Sequence, residues 1–482
     1  MIKIIRPVLV VGCVVAAVAT TAPAQAAPAT QPPLRLVAGS ATVTLDRFPD
    51  FGVFLDLGTH LVAGSTPFEI RATRKSYADP IVAKQIVNGH AKKLPAGLLT
   101  NFAGLPGFLH VTLTDPGGAV VVEQDQTFCP NGETARTRPD APDTSSYPLS
   151  CSTNPFTLGG VWGVQKGWAT STVDYFSAPV DIPAGHYTAQ VSVPKRYQDL
   201  FGIPADQSSA TIQVTVRDEE SPGGPGAARA AAGPHAKAVG LRPNATRPTG
   251  AARVPKGPKP DLRPLPAWQM GIEPQNGRDY LQFAANVWNA GPSPLVLDGF
   301  RRTGENIMDA YQYFYDDNGK QVGYAPTGTL EWDARDGHTH WHFTDFARYS
   351  LLNSTQSEVV RSQKEAFCLA ATDAIDYTVK NANWRPNNTD LHTACGSEGS
   401  LAVREVLDVG SGDTYLQYLP GQSFDITDLP NGTYYVQVIA NPDHKLYESS
   451  LDNNVSVRKV ILGGSPGART VTVPPYQLID AP

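Results

Sequence analysis

Apolar and polar side chains alternate along most of this chain with the two-residue period of a β-strand. Ser40-Ala-Thr-Val-Thr-Leu45, Leu109-His-Val-Thr-Leu113 and Thr211-Ile-Gln-Val-Thr-Val216 carry the pattern in the N-terminal part. Tyr280-Leu-Gln-Phe-Ala-Ala-Asn-Val-Trp288 and Tyr311-Gln-Tyr-Phe-Tyr315 carry it later. Turn sequences punctuate these runs: Asp115-Pro-Gly-Gly118, Asn289-Ala-Gly-Pro292 and Asp316-Asp-Asn-Gly319. Short strands, frequent turns and no convincing amphipathic helix predict an all-β protein of β-sandwich type. Leu401 to Leu407 fits a helix or a strand equally well.

The alternation stops between residues 218 and 260. Glu219-Glu-Ser-Pro-Gly-Gly-Pro-Gly226 and the Ala/Gly/Pro-rich stretch after it hold almost no large apolar groups. Such a segment buries too little to offset the entropy of ordering it. It predicts a flexible, locally basic linker between two β-sandwich-like domains, 34–217 and 261–464, with a tail at 465–482. One echo connects the halves. Asp181-Ile-Pro-Ala-Gly-His-Tyr187 and Asp428-Leu-Pro-Asn-Gly-Thr-Tyr434 each lead from a Pro/Gly turn into an alternating strand, either as two good turn solutions or as a sign of related sandwiches.

Composition adds little to the fold and more to the setting. Of 482 residues, 43 are Gly and 42 Pro, in keeping with a turn-rich protein and a linker. The net charge of −6 argues against nucleic acid as a partner. Residues 1–26 read as a secretory signal: Lys3 and Arg6, an apolar run from Val8 to Val18, then Ala24-Gln25-Ala26. No later stretch has the length and apolarity of a membrane span. The expected mature protein is therefore exported, without an integral membrane segment. Export makes the remaining cysteines informative. Cys129, Cys151, Cys368 and Cys395 pair most simply as neighbours, 129 with 151 and 368 with 395, with two other connectivities open. Trp162 and Trp168 suit core packing better than a carbohydrate platform. His60, His90, His110 and His186 are scattered and read as structural or solvated.

The chemistry concentrates in Asp336-Gly-His-Thr-His-Trp-His-Phe-Thr-Asp345. On a strand, His338, His340 and His342 share one face while Thr339, Trp341 and Phe343 take the other. Three neutral imidazoles in a row suit copper or zinc. The bland reading is a His-rich surface strand. Lys364 and Tyr415, taken singly, read as a surface lysine and a turn tyrosine.

Together, however, the motifs of residues 261–464 resemble the lysyl oxidase family. The resemblance rests on His338-Thr-His-Trp-His342, Asp345, Tyr349-Ser-Leu-Leu352, Lys364-Glu-Ala-Phe-Cys-Leu369 and Asp413-Thr-Tyr415. It continues through Asp425-Ile-Thr-Asp428, Asn431-Gly-Thr-Tyr434, Asn441-Pro442, Glu448 and Asn453-Asn454. It implies copper(II) on His338, His340 and His342, and a lysine tyrosylquinone cofactor built from Lys364 and Tyr415. It also implies a calcium site from Asp261, Glu448, Asn453 and Asn454, an oxygen-rich set of the kind calcium takes. Asp413, two residues before Tyr415 and on its face of a strand, is the candidate base, with a turn-forming Asp as the plain alternative.

The implied protein is a secreted amine oxidase. It would turn primary amines, protein lysine among them, into aldehydes with molecular oxygen, releasing hydrogen peroxide and ammonia. The chain departs from the animal enzymes at Gln363, where they carry a histidine, at Ser450, where the calcium site has an aspartate, and in its sparse cysteines. The rival expectation is a non-catalytic secreted module that binds metal or cell wall.

Overall fold

The computed structural model describes residues 33–174, 177–219, 246–334, 339–344, 346–362, 366–386, 391, 393–417 and 421–482. The expected signal segment, His338, Asp345 and Lys364 lie outside them. The described chain is all-β, with one short helix, Lys195–Phe201, that ends on Gly202 at φ 70°. No helix among the described residues is long and apolar enough to cross a membrane.

The N-terminal part builds three sheets. The largest orders Gly52–Val53, Thr42–Phe48, Ser209–Asp218, Gly185–Ser192, Leu105–Thr114 and Val120–Phe128. Its strands are antiparallel except where Thr42–Phe48 and Ser209–Asp218 run parallel. Inward positions such as Tyr187, Ala189, Val191, Ile212 and Val214 fill the core, as the period of two requires. Trp162 is 1% exposed inside that core. Trp168 packs against the core's edge, and its indole N–H donates to the Pro142 carbonyl at 3.0 Å.

Three further sheets form the C-terminal part. One orders Ala366–Phe367, His340–Thr344, Gln321–Asp333, Ile307–Tyr315, Leu295–Arg301 and Ala402–Leu407. A second is built on Arg278–Asn289, which pairs with Leu262–Pro264, Trp268–Gln275, Ser411–Tyr415 and Ser423–Asp425. The third orders Glu358–Arg361, Ala347–Leu352, Gly432–Ala440, Val455–Ser465 and Ala468–Thr472. Phe283, Trp341, Phe343, Tyr349, Phe367, Tyr415 and Val436 come from all three and pack into one core. The segment that suited helix or strand is a strand, Ala402–Leu407, because it completes the edge of Leu295–Arg301.

The sequence echo has a shared physical basis. The Tyr187 hydroxyl donates to the Pro183 carbonyl at 2.8 Å, and the Tyr434 hydroxyl to the Pro430 carbonyl at 2.7 Å. Each tyrosine ties its turn to the strand that follows, a tyrosine corner in both halves.

Both local disulfides are present, Cys129–Cys151 and Cys368–Cys395. The two parts also meet. Leu158 and Gly159 donate backbone N–H groups to the Ile375 carbonyl at 2.8 and 3.1 Å, and Tyr377 donates back to Gly159 at 3.0 Å. A side chain at Gly159 would collide with the Asp376 carboxylate, so glycine alone allows this approach. Phe156 joins Leu265, Trp268, Trp288 and Ile375 in a small core across the seam. The end of the expected linker and the expected tail are both placed against folded structure. Arg253 pairs with Tyr324, and the Tyr324 hydroxyl donates to Gly250 at 2.6 Å, so the end of the expected linker lies along a sheet. The expected tail supplies a strand, Ala468–Thr472, and sets Tyr476 against Tyr77 and Phe156.

Candidate metal and tyrosine site

His340–Thr344 is held on both edges. It pairs with Gln321–Asp333 in the register Asp333↔His340, Trp332↔Trp341, Glu331↔His342 and Leu330↔Phe343. On its other edge Phe343 pairs with Phe367 and Thr344 with Ala366. The pleat sends Trp341 and Phe343, each 0% exposed, into the core. It leaves His340 and His342 side by side, ring centroids 4.6 Å apart.

The two Nε2 atoms stand 2.9 Å apart. That is hydrogen-bond distance, one ring donating to the other. As imidazoles on one strand face they are donors of the kind copper or zinc takes. His342 is 2% exposed, and its Nδ1 lies 3.3 Å from the Asp333 Oδ2. The carboxylate's charge facing Nδ1 favours a proton on that nitrogen, the tautomer in which Nε2 carries the lone pair. Among the described residues no group of three His, Cys, Asp or Glu side chains converges as a metal cage.

Tyr415 ends the strand Ser411–Tyr415, which pairs with Arg278–Asn289. Its ring stands edge-on to Phe367 at 4.7 Å, and its hydroxyl donates to the Cys368 carbonyl at 2.9 Å. Phe367 lies opposite Phe343 across the ladder, so the phenol packs on the core face of the histidine strand, the face opposite the imidazoles. Asp413, 3% exposed, lies two residues earlier with its carboxyl against the phenol. Burial, then Asp413, then Glu405 push the Tyr415 phenol well above its usual range. Thr414 takes the opposite side of the strand and donates to the Asp373 carboxylate.

Two residues here were not foreseen. Asp333 closes an alternating run, and only the hairpin with the histidine strand brings it to His342. Glu405, 0% exposed, sits in the apolar run Ala402-Val-Arg-Glu-Val-Leu407. A charged residue of inward parity in such a run is the signal that would have flagged it.

The oxygen-rich candidates do come together. Asn453 donates to both Asp261 carboxylate oxygens at 3.2 Å, and Asn454 donates to the Glu448 Oε1 at 2.9 Å. Asn441, not foreseen, donates to the same oxygen at 2.7 Å, and Leu262 N–H to the Glu448 Oε2 at 2.7 Å. Arg263 pairs with Asp261 at 2.8 Å. The Asn453 and Asn454 side-chain oxygens are buried with no partner. Turning either amide over would present an oxygen beside the carboxylates, a donor set suited to calcium. Burial pushes the Glu448 carboxyl up to about 6, against the bonds from Asn441, Asn454 and Leu262.

A buried phenol with a carboxyl against it and a pair of strand-borne imidazoles are the chemistry-bearing groups of this all-β domain. Residues 315–469 match the family model described as Lysyl oxidase. Lysyl oxidase homolog 2 of Gallus gallus is 31% identical over 161 residues, 33% of this chain and 18% of the relative. Lysyl oxidase homolog 4 of Homo sapiens is 33% identical over 130 residues, 27% of this chain and 15% of the relative. Lysyl oxidase homolog 2 of Homo sapiens is 31% identical over 140 residues, 29% and 16% respectively. The C-terminal region therefore carries a lysyl oxidase family domain. The chain spans less than a fifth of the length of these relatives.

Proposed function

We propose that the chain is a secreted, copper-dependent amine oxidase. It converts primary amines, protein lysine side chains included, to aldehydes, consumes molecular oxygen, and releases hydrogen peroxide and ammonia. The observation that carries the reading is the buried Tyr415 phenol, with the Asp413 carboxyl against it and its hydroxyl on the Cys368 carbonyl, inside the region that matches the family model.

His338, His340 and His342 hold copper(II) in this reading, and Lys364 with Tyr415 forms the lysine tyrosylquinone. When present, such a quinone supplies an electrophilic carbonyl for the amine and an electron sink for its carbon. The chain's own groups do the rest. The Cys368 carbonyl orients the Tyr415 hydroxyl. Phe367 and Tyr349, buried at 0% and 1% exposed, keep water from the ring. Asp413 accepts the proton lost from the carbon next to the substrate nitrogen. Asp261, Glu448, Asn453 and Asn454 hold calcium away from this chemistry as a structural clip. The segment 1–26 and the two disulfides support an exported protein.

The test uses full-length protein exposed to copper and oxygen. Wild type should yield a tryptic peptide joining Lys364 to Tyr415 and release peroxide with benzylamine. Tyr415→Phe should bind copper as wild type does and release no peroxide. Peroxide at the wild-type rate from that variant overturns the assignment of Tyr415. A wild-type digest free of the cross-link favours a metal-binding module without catalysis.

A further inference from the structure

Glu405 is a fully buried carboxyl, 0% exposed, in a strand whose other neighbours are apolar or paired. Burying a carboxyl costs several kcal/mol unless its oxygens find partners. The preceding Arg404 does not serve it. Successive residues of a strand face opposite ways, and Arg404 is taken by Asp298 in a bidentate bridge with both contacts at 2.6 Å. The partners of Glu405 are backbone. Its Oε2 accepts the Leu369 N–H at 3.1 Å, and the carboxyl also accepts a hydrogen bond from the Phe343 backbone. Its Oε1 is buried without a hydrogen-bond partner.

Both backbone partners adjoin residues of the site. Phe343 follows His342. Leu369 follows Cys368, whose carbonyl holds the Tyr415 hydroxyl at 2.9 Å. The ladder between the histidine strand and Ala366–Phe367 has two pairs, Phe343↔Phe367 and Thr344↔Ala366, and then stops. Past Phe367 the chain leaves the strand, and Glu405 takes the Leu369 N–H in place of the missing ladder partner. The strand that carries Glu405 is itself fixed along its length by pairing with Leu295–Arg301. Thr393 ties two of these segments together: its hydroxyl donates to the Leu369 carbonyl and accepts the Val406 N–H.

We propose that Glu405 is a positioning residue, a side-chain clamp that locks the Cys368–Leu369 segment onto the histidine strand and so sets the Tyr415 hydroxyl relative to His340 and His342. The proposal concerns geometry and rests, for its chemical consequence, on the oxidase reading above. The clamp needs hydrogen-bond acceptors and does not need charge. An amide at 405 keeps an oxygen for Leu369, whereas an apolar side chain of similar length removes it while filling the space. Met fills the space but leaves the Leu369 N–H without its acceptor, so folding of this variant is established alongside the readouts.

The experiment compares Glu405→Gln and Glu405→Met with wild type as full-length protein. The first readout, on metal-free protein, is amide hydrogen exchange at Phe343 and Leu369. The second is the yield of the Lys364–Tyr415 cross-link after copper and oxygen, with bound copper counted in the same samples. Glu405→Met should lose protection at both amides at least tenfold. It should also keep its copper and form the cross-link at no more than about a tenth of the wild-type yield. Glu405→Gln should keep protection and cross-link yield within about threefold.

Full protection in Glu405→Met, or lost protection in Glu405→Gln, overturns the clamp. Cross-linking of Glu405→Met at the wild-type yield overturns its role in setting Tyr415. If Glu405→Met does not fold, Glu405→Gln decides: retained exchange protection supports the clamp, and its loss refutes it. A wild-type protein that forms no cross-link refutes the oxidase reading, and the exchange measurement still decides the clamp.

Discussion

Replacing Asp333 by Ala removes the carboxylate that faces the Nδ1 of His342. The ring is 2% exposed, so water does not orient it, and Asp333 is the carboxylate seen at that nitrogen. Without it the ring loses the nearby charge that favours a proton on Nδ1, and part of the population carries the proton on Nε2, where a metal would bind. Loss of such an outer carboxylate typically lowers metal affinity by about 10–100-fold. The observed separation of 3.3 Å is slightly longer than an ordinary N–H···O bond. The lower end of the range is therefore expected, about tenfold or ~1.4 kcal/mol.

Asp333→Asn retains an oxygen acceptor without charge and should fall in between, at about threefold. The assay is competition for copper(II) against a chelator at neutral pH, with circular dichroism to establish folding and the copper paramagnetic resonance spectrum as a second signature. Affinity of Asp333→Ala within twofold of wild type, with an unchanged spectrum, would refute the orienting role.

Two further outcomes follow from buried acids elsewhere. Asp408 is 5% exposed and burial pushes its carboxyl up to about 6, against the bonds from Asn383 and Val409. A raised native value means that the folded state holds the proton more tightly than the unfolded chain. Its contribution is present below about pH 4 and is lost as pH rises through 6, on the order of 3 kcal/mol. Denaturant titrations should show that fall, and Asp408→Asn should flatten it; an unchanged slope in the variant would contradict the assignment. At the oxygen-rich cluster, calcium should raise the melting temperature of wild type above pH 6, where Glu448 is charged, and Glu448→Gln should remove most of the gain. Equal stabilisation of both proteins by calcium would exclude Glu448 as a ligand.

The alternating pattern was enough to read the strands, because a period of two is a property of the local backbone. It also put His340 and His342 on one face with Trp341 and Phe343 on the other. The expected export and the closeness of the cysteines in sequence, not the pattern, made Cys129–Cys151 and Cys368–Cys395 the simplest pairing. The ordered motifs from His338 to Asn454 were legible for the same reason: each is a short local string. Partnerships between distant segments were not. Asp333 reaches His342 only through the register of a hairpin. Glu405 reaches Leu369 only because the two edges of one six-stranded sheet come together, and Gly159 reaches Ile375 across the seam between the two parts. Local strings carry intrinsic conformational preference. The pairing of remote strands is selected by the packing and hydrogen bonding of the whole fold, so those contacts, and the roles that depend on them, belong to the tertiary structure alone.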